Sequence, residues 1–116
     1  MALGVLRPVG AALRGLRMQA WYEARFEREM GCTEADLLQS LPGAVKGRAV
    51  TLSTGAAEVV IDAGRLALRW QTLPMRQIAL VRLPRLAVSF EFIDVSDEVR
   101  QAFMRYFDLY TQRGGG

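Results

Sequence analysis

The sequence contains no histidine, a single cysteine and a single lysine. Without histidine the chain lacks the usual general base for a serine or cysteine nucleophile, the commonest metal ligand and the usual physiological pH switch. Cys32 alone can neither close an internal disulfide nor build a thiolate zinc site, so a reducing, cytosolic compartment is the expectation. No apolar run approaches the roughly 20 residues that span a bilayer. Acid is missing from the first 22 residues, which carry Arg7, Arg14 and Arg17. In charge alone this resembles a mitochondrial presequence, but the segment has no serine or threonine and runs directly into a well-patterned helix. A bacterial cytoplasmic protein is expected, with mitochondrial targeting as the alternative; Arg7 and Arg14 interrupt any secretory apolar core.

What is present is ordinary globular material. A chain of 116 residues, 51% apolar and 23% charged, suits one domain with one core. The net charge of +3 permits an anionic partner without demanding one. All basic residues except Lys46 are arginine. Arginine suits bidentate pairing with carboxylates and phosphates. A GC-rich coding sequence, which raises Arg, Ala, Gly and Leu together, accounts for the same bias.

In chain order, residues 1–10 read as an irregular lead-in, residues 11–112 as a single domain and residues 113–116 as a flexible glycine-rich tail. Met18, Tyr22, Phe26 and Met30 recur at i, i+4, which predicts a helix from Ala11 to about Met30, ended by Gly31. Thr33 followed by Asp36 predicts a capped second helix that buries Leu37, Leu38 and Leu41 and stops at Pro42-Gly43. From Lys46 the period changes to two. Val50 and Leu52 alternate, Thr54-Gly55 turns the chain, Val59 and Ile61 alternate, and Asp62-Ala63-Gly64 turns it again.

The stretch Arg65–Ile93 then reads as three strands, broken at Leu73-Pro74-Met75 and Leu83-Pro84. Leu66, Leu68, Trp70, Leu86, Val88, Phe90 and Phe92 fall on the core side by parity. Asp94 or Ser96 caps a final helix that carries Val99, Ala102, Phe103, Tyr106 and Tyr110 on one face. The expected fold is therefore α+β: two N-terminal helices, an antiparallel meander of about five strands, and one C-terminal helix packed on one face of the sheet. That order of elements resembles helix-grip domains, in which a curved sheet wraps a long C-terminal helix around a pocket. The resemblance is one of element order, and no residue motif carries it.

Candidate sites follow from parity. Arg65, Arg69 and Arg85 fall on the non-core face, with Gln71 and Gln77 nearby, a candidate face for an anionic partner such as single-stranded nucleic acid. Base-stacking platforms need exposed aromatics, however, and Trp70, Phe90 and Phe92 all go to the core side. The small outer residues Ala67, Ala79, Val81 and Ala87, with Val60, offer a flat surface for a protein partner or a second copy. The aromatic-rich helix of Phe103, Met104, Tyr106, Phe107 and Tyr110 supplies core. It is also a candidate apolar pocket or docking surface, with Met104 and Phe107 the residues expected to reach a partner. Cys32 sits near a helix start but has no histidine to activate it and reads as structural. The acids Asp94, Asp97 and Glu98 match no calcium loop and are explained by capping. No catalytic, cofactor-binding or metal-ligating residue is singled out, and no cofactor is expected. The reading is a non-catalytic binding domain whose first partner is protein, including itself. An apolar small molecule between sheet and C-terminal helix, and nucleic acid on the arginine face, are the alternatives.

Overall fold

The structure, a computed structural model, describes residues 20–113. The lead-in, residues 11–19 of the helix expected from Ala11 to about Met30, the basic N-terminal segment and residues 114–116 of the expected tail lie outside the described residues, while Arg113 ends the last helix. The elements are β1 (Arg25–Met30), α1 (Glu34–Ala44), β2 (Val50–Ser53), β3 (Ala56–Ile61), β4 (Gly64–Ile78), β5 (Val81–Ile93) and α2 (Asp97–Arg113). The five strands form one sheet in the order β1-β5-β4-β3-β2, every neighbour antiparallel. The α+β class and the antiparallel sheet stand as expected. The pair of N-terminal helices does not, because one helix follows β1 and residues 25–30 are a strand.

The reason lies in the spacing that suggested a helix. A repeat of four is also a multiple of two, so Phe26 and Met30 fall on one side of a strand as readily as on one side of a helix. Tertiary pairing decides between them. Residues 25–30 align along the edge of β5, from Arg25 opposite Glu91 to Met30 opposite Leu86. Phe26 lands opposite Phe90 and stacks on it, with ring centroids 4.7 Å apart and planes 10° from parallel.

The second correction concerns Arg65–Ile93, which forms two strands rather than three. Neither proline break ends a strand. Pairing runs from Arg65 opposite Ile93 to Leu73 opposite Arg85, skips at Pro74-Met75, and resumes from Arg76 opposite Leu83 to Ile78 opposite Val81. The chain reverses at Ala79-Leu80, with Ala79 at φ 54°. Proline offers no N–H to a neighbouring strand, so it fits where no neighbour waits. Pairing of β3 to β4 ends at Ala56 opposite Arg69, and pairing of β1 to β5 ends at Met30 opposite Leu86. Pro74 and Pro84 both lie beyond those limits. The fifth strand of the sheet is therefore β1 and not a third strand from this stretch.

The local signals elsewhere match the geometry. Thr33 caps α1: its Oγ1 accepts from the Asp36 N–H at 3.1 Å, and the Asp36 carboxylate accepts from the Thr33 N–H at 3.1 Å. The helix continues two residues past Pro42 to Ala44. Ser96 caps α2, accepting from the Val99 N–H at 3.2 Å. Gly64 is required by packing, since a Cβ there would collide with the carbonyl oxygens of Ile93 and Asp94.

Both helices cover one side of the sheet. Leu66, Leu68, Leu86, Val88 and Phe90 meet Leu37 and Leu41 of α1 and Phe103, Met104 and Phe107 of α2 in a single core. Phe107 stands edge-on to Phe90 at 5.6 Å and Phe103 edge-on to Phe92 at 5.8 Å. A polar clamp ties the approach to β1 onto α2. Gln101 donates to the Tyr22 carbonyl at 2.7 Å and accepts from the Tyr22 N–H at 2.9 Å, while Arg100 Nε donates to the same carbonyl at 2.8 Å. The Tyr22 hydroxyl donates to buried Asp108 at 2.6 Å, and Arg28 forks onto that carboxylate at 2.7 and 3.1 Å. Burying a carboxylate is costly unless it is fully paired, and here Tyr22 and Arg28 supply its donors.

Candidate functional site

The sheet face turned away from the helices is built by alternation. Arg25, Glu27 and Glu29 of β1, Ala87, Ser89 and Glu91 of β5, and Arg65, Ala67, Arg69 and Gln71 of β4 share it, because residues directly opposite across strands lie on one face. Ala67, Ala87 and Ser89 are small and half-buried and make a low floor. Longer side chains around them leave a shallow trough of about 690 Å³, bounded by Glu27, Glu29, Thr54, Arg69, Gln71 and Leu73. A second hollow of about 240 Å³ adjoins it between Arg25, Glu27, Ala67 and Glu91, and Arg69 borders both.

The three arginines singled out by parity do lie on this face, but they do not form a cluster. Each sits about four residues, or roughly 13 Å of strand, from the next. Arg65 pairs with Glu58 at 3.1 Å. Arg85 forks onto Glu29 at 3.0 and 3.1 Å and also donates to the Pro74 carbonyl at 3.2 Å. Arg76 approaches the same Glu29 at 3.5 Å. The Arg85 hydrogen bonds hold the Glu29 carboxyl below the usual range and push the guanidinium further up. Arg69 has no ion pair among the described residues. Two of the three arginines are thus already matched by glutamate.

The aromatic helix divides differently from the expectation. Met104 and Phe107, expected at the surface, are buried against the sheet together with Phe103. The helix turns these residues inward onto the sheet, where Phe107 meets the Phe90 ring, Phe103 meets the Phe92 ring and Met104 joins the same core. Tyr106 is half-buried and Tyr110 exposed. The room that a helix-grip element order implies between sheet and helix is therefore taken up here by the protein's own rings. A hollow of about 250 Å³ lies at the end of this packing, lined by Lys46, Arg48, Asp62, Phe103 and Tyr106. Lys46 Nζ sits 4.4 Å above the Tyr106 ring. Cys32 is buried, and that burial, with Asp36 nearby, pushes its thiol up and keeps it protonated. Among the described residues no three His, Cys, Asp or Glu side chains are grouped to hold a metal ion. None of the described helices is long and apolar enough to cross a membrane.

The feature missed from sequence is an arm. Beyond Thr72 and before Leu86, β4 and β5 pair only with each other among the described residues and project as a two-stranded ribbon, on the order of 15 Å long at ~3.3 Å per residue. Stepping by two along β5 from Ser89 gives Ala87, Arg85, Leu83 and Val81, so Leu83, Val81 and the partner Ile78 continue the outer face. Ile78 is 55% exposed, Val81 54% and the turn residue Leu80 95%. Met75 in the bulge is exposed as well. The signal lay in the near-mirror placement of Leu73-Pro74 and Leu83-Pro84 about Ala79-Leu80, which marks one long hairpin with irregular flanks.

No protein-family model matches the chain, and no curated protein matches it.

Proposed function

We propose that this chain is a binding domain without chemistry of its own, and that it associates with protein through its outer sheet face and the β4–β5 arm. A second copy is the simplest partner. The observation that carries the reading is the arm. A two-stranded ribbon alone in water is marginally stable, and long apolar strands with open backbone edges invite pairing with another chain. Here both outward edges of the arm lack a neighbouring strand among the described residues, and its apolar side chains face the side where the sheet offers small residues and a trough. Scattered single apolar residues on a surface need no explanation, whereas a contiguous exposed run does.

Glutamate pairing of Arg65 and Arg85 favours protein over nucleic acid on the same face. Those arginines would have to give up short ion pairs to reach phosphates. The inward burial of Phe103, Met104 and Phe107 likewise favours a surface contact over a ligand held between sheet and helix.

Light scattering coupled to size exclusion tests the reading. A chain of 12.9 kDa is expected to run at twice that mass at micromolar concentration. Ala87→Arg, which plants a long charged side chain on the trough floor, is expected to return it to the single-chain mass with the circular dichroism spectrum retained. A wild-type chain that stays at 12.9 kDa through hundreds of micromolar refutes self-association.

A further inference from the structure

We infer that the partner is a second copy bound by reciprocal exchange of arms: the apolar tip of each β4–β5 arm lies in the outer-face trough of the other copy. This rests on the association reading above and adds the two surfaces that meet. Both halves of the contact are present in one chain. The tip is a protruding turn with Ile78, Leu80 and Val81 exposed. The trough is concave, about 690 Å³, with a small-residue floor at Ala87 and Ser89 and Leu73 on its wall.

Charge matches in the same sense. The chain has no acid between Asp62 and Glu91, so the arm carries Arg76, which reaches Glu29 of β1 at 3.5 Å, and Arg82, which has no ion pair among the described residues. The outer face carries Glu27 and Glu91 beside Arg25 and Arg69, and neither acid has an ion pair among the described residues. Arm against arm would set arginine on arginine, whereas arm against face sets arginine near glutamate.

Area points the same way. One hairpin tip offers a few side chains, well short of the roughly 800 Å² per partner of a stable protein interface. A two-fold exchange counts the contact twice and adds the outer faces between, which is how a self-complementary surface closes without growing into a filament.

Paired cysteines test the geometry. Cys32 is buried and stays silent. Leu80→Cys and Ala87→Cys stand seven residues apart on one chain, roughly 23 Å, too far to close a disulfide within it. The double variant L80C/A87C is expected to cross-link under mild oxidant into a covalent dimer, at least tenfold faster than either single variant. Val81→Asp, on an exposed position, is expected to weaken the dimer at least tenfold in light scattering without lowering the melting temperature of the monomer. A wild-type dimer in which the double variant fails to cross-link overturns arm exchange and leaves association standing. Cross-linking by L80C alone overturns it in favour of tip-to-tip contact. A monomer overturns both readings, and a monomer that co-sediments with vesicles containing phosphatidylglycerol assigns the basic, apolar tip to a lipid surface instead.

Discussion

Replacing Phe90 with alanine is expected to cost about 4 kcal/mol, within the range for emptying a buried phenylalanine site. The side chain is 0% exposed, on β5 between Phe26 of β1 and Leu68 of β4. It stacks on Phe26 at 4.7 Å, receives the edge of Phe107 at 5.6 Å, and lies 5.2 Å beneath the Arg28 guanidinium. Each aromatic contact contributes roughly 0.5–1.5 kcal/mol beyond area burial, so the loss reaches β1 and α2 as well as the sheet. The neighbouring sites cannot collapse to fill the space, because the backbone on either side is held in register by β1 and β4. The assay is urea unfolding at one fixed chain concentration, since association would make the midpoint concentration-dependent. At a slope near 2 kcal/mol/M the midpoint should fall by roughly 2 M. Phe90→Leu, which keeps much of the volume, should lose roughly 1–2 kcal/mol, and Ser89→Ala on the opposite face should stay within about 0.5 kcal/mol. A loss below about 1 kcal/mol for Phe90→Ala, or an equal loss for Ser89→Ala, refutes the assignment of faces on which the fold and the trough both depend.

Two further outcomes follow from particular contacts. Gly64→Ala should cost about 1–3 kcal/mol, because the added Cβ meets backbone carbonyls of Ile93 and Asp94 that cannot swing aside; thermal melts against Gly31→Ala, where the added Cβ meets nothing, check it. The Glu29 carboxyl should titrate below the ordinary glutamate range by NMR and return toward it in Arg85→Gln, more than in Arg76→Gln, since the Arg85 hydrogen bond is the largest cause. Its folded-state value is depressed, so whatever the pair contributes to stability is present above the unfolded value and is lost as pH falls through the folded one.

Much of the fold was legible because some signals are local. The reciprocal bonds of Thr33 and Asp36 need only four consecutive residues, and the turns at Thr54-Gly55 and Asp62-Ala63 need only residues that tolerate positive φ. Alternation placed Leu66, Leu68, Trp70, Leu86, Val88, Phe90 and Phe92 in the core, where they are. What failed were assignments that depend on a neighbour. Phe26 and Met30 fit two periods equally until β5 supplied backbone partners. Pro74 and Pro84 read as ends of strands when nothing in the sequence said that those stretches lack outer neighbours. Met104 and Phe107 were expected outside on a helix whose apolar face is wider than one core side; packing of α2 on the sheet, with Phe107 on Phe90 and Phe103 on Phe92, drew them in.

By itself, then, the sequence determined the α+β class, the cap of α1, the parity of the core strands and the poverty of catalytic groups, since each follows from composition or from residues within a few positions of one another. Only the tertiary structure decided that residues 25–30 are an edge strand, that Arg65 and Arg85 are matched by Glu58 and Glu29, and that β4 and β5 run past the sheet as an arm. A strand gains its hydrogen bonds from whatever chain lies beside it, and an exposed side chain is defined by what fails to cover it. Neither neighbour is written within the segment concerned.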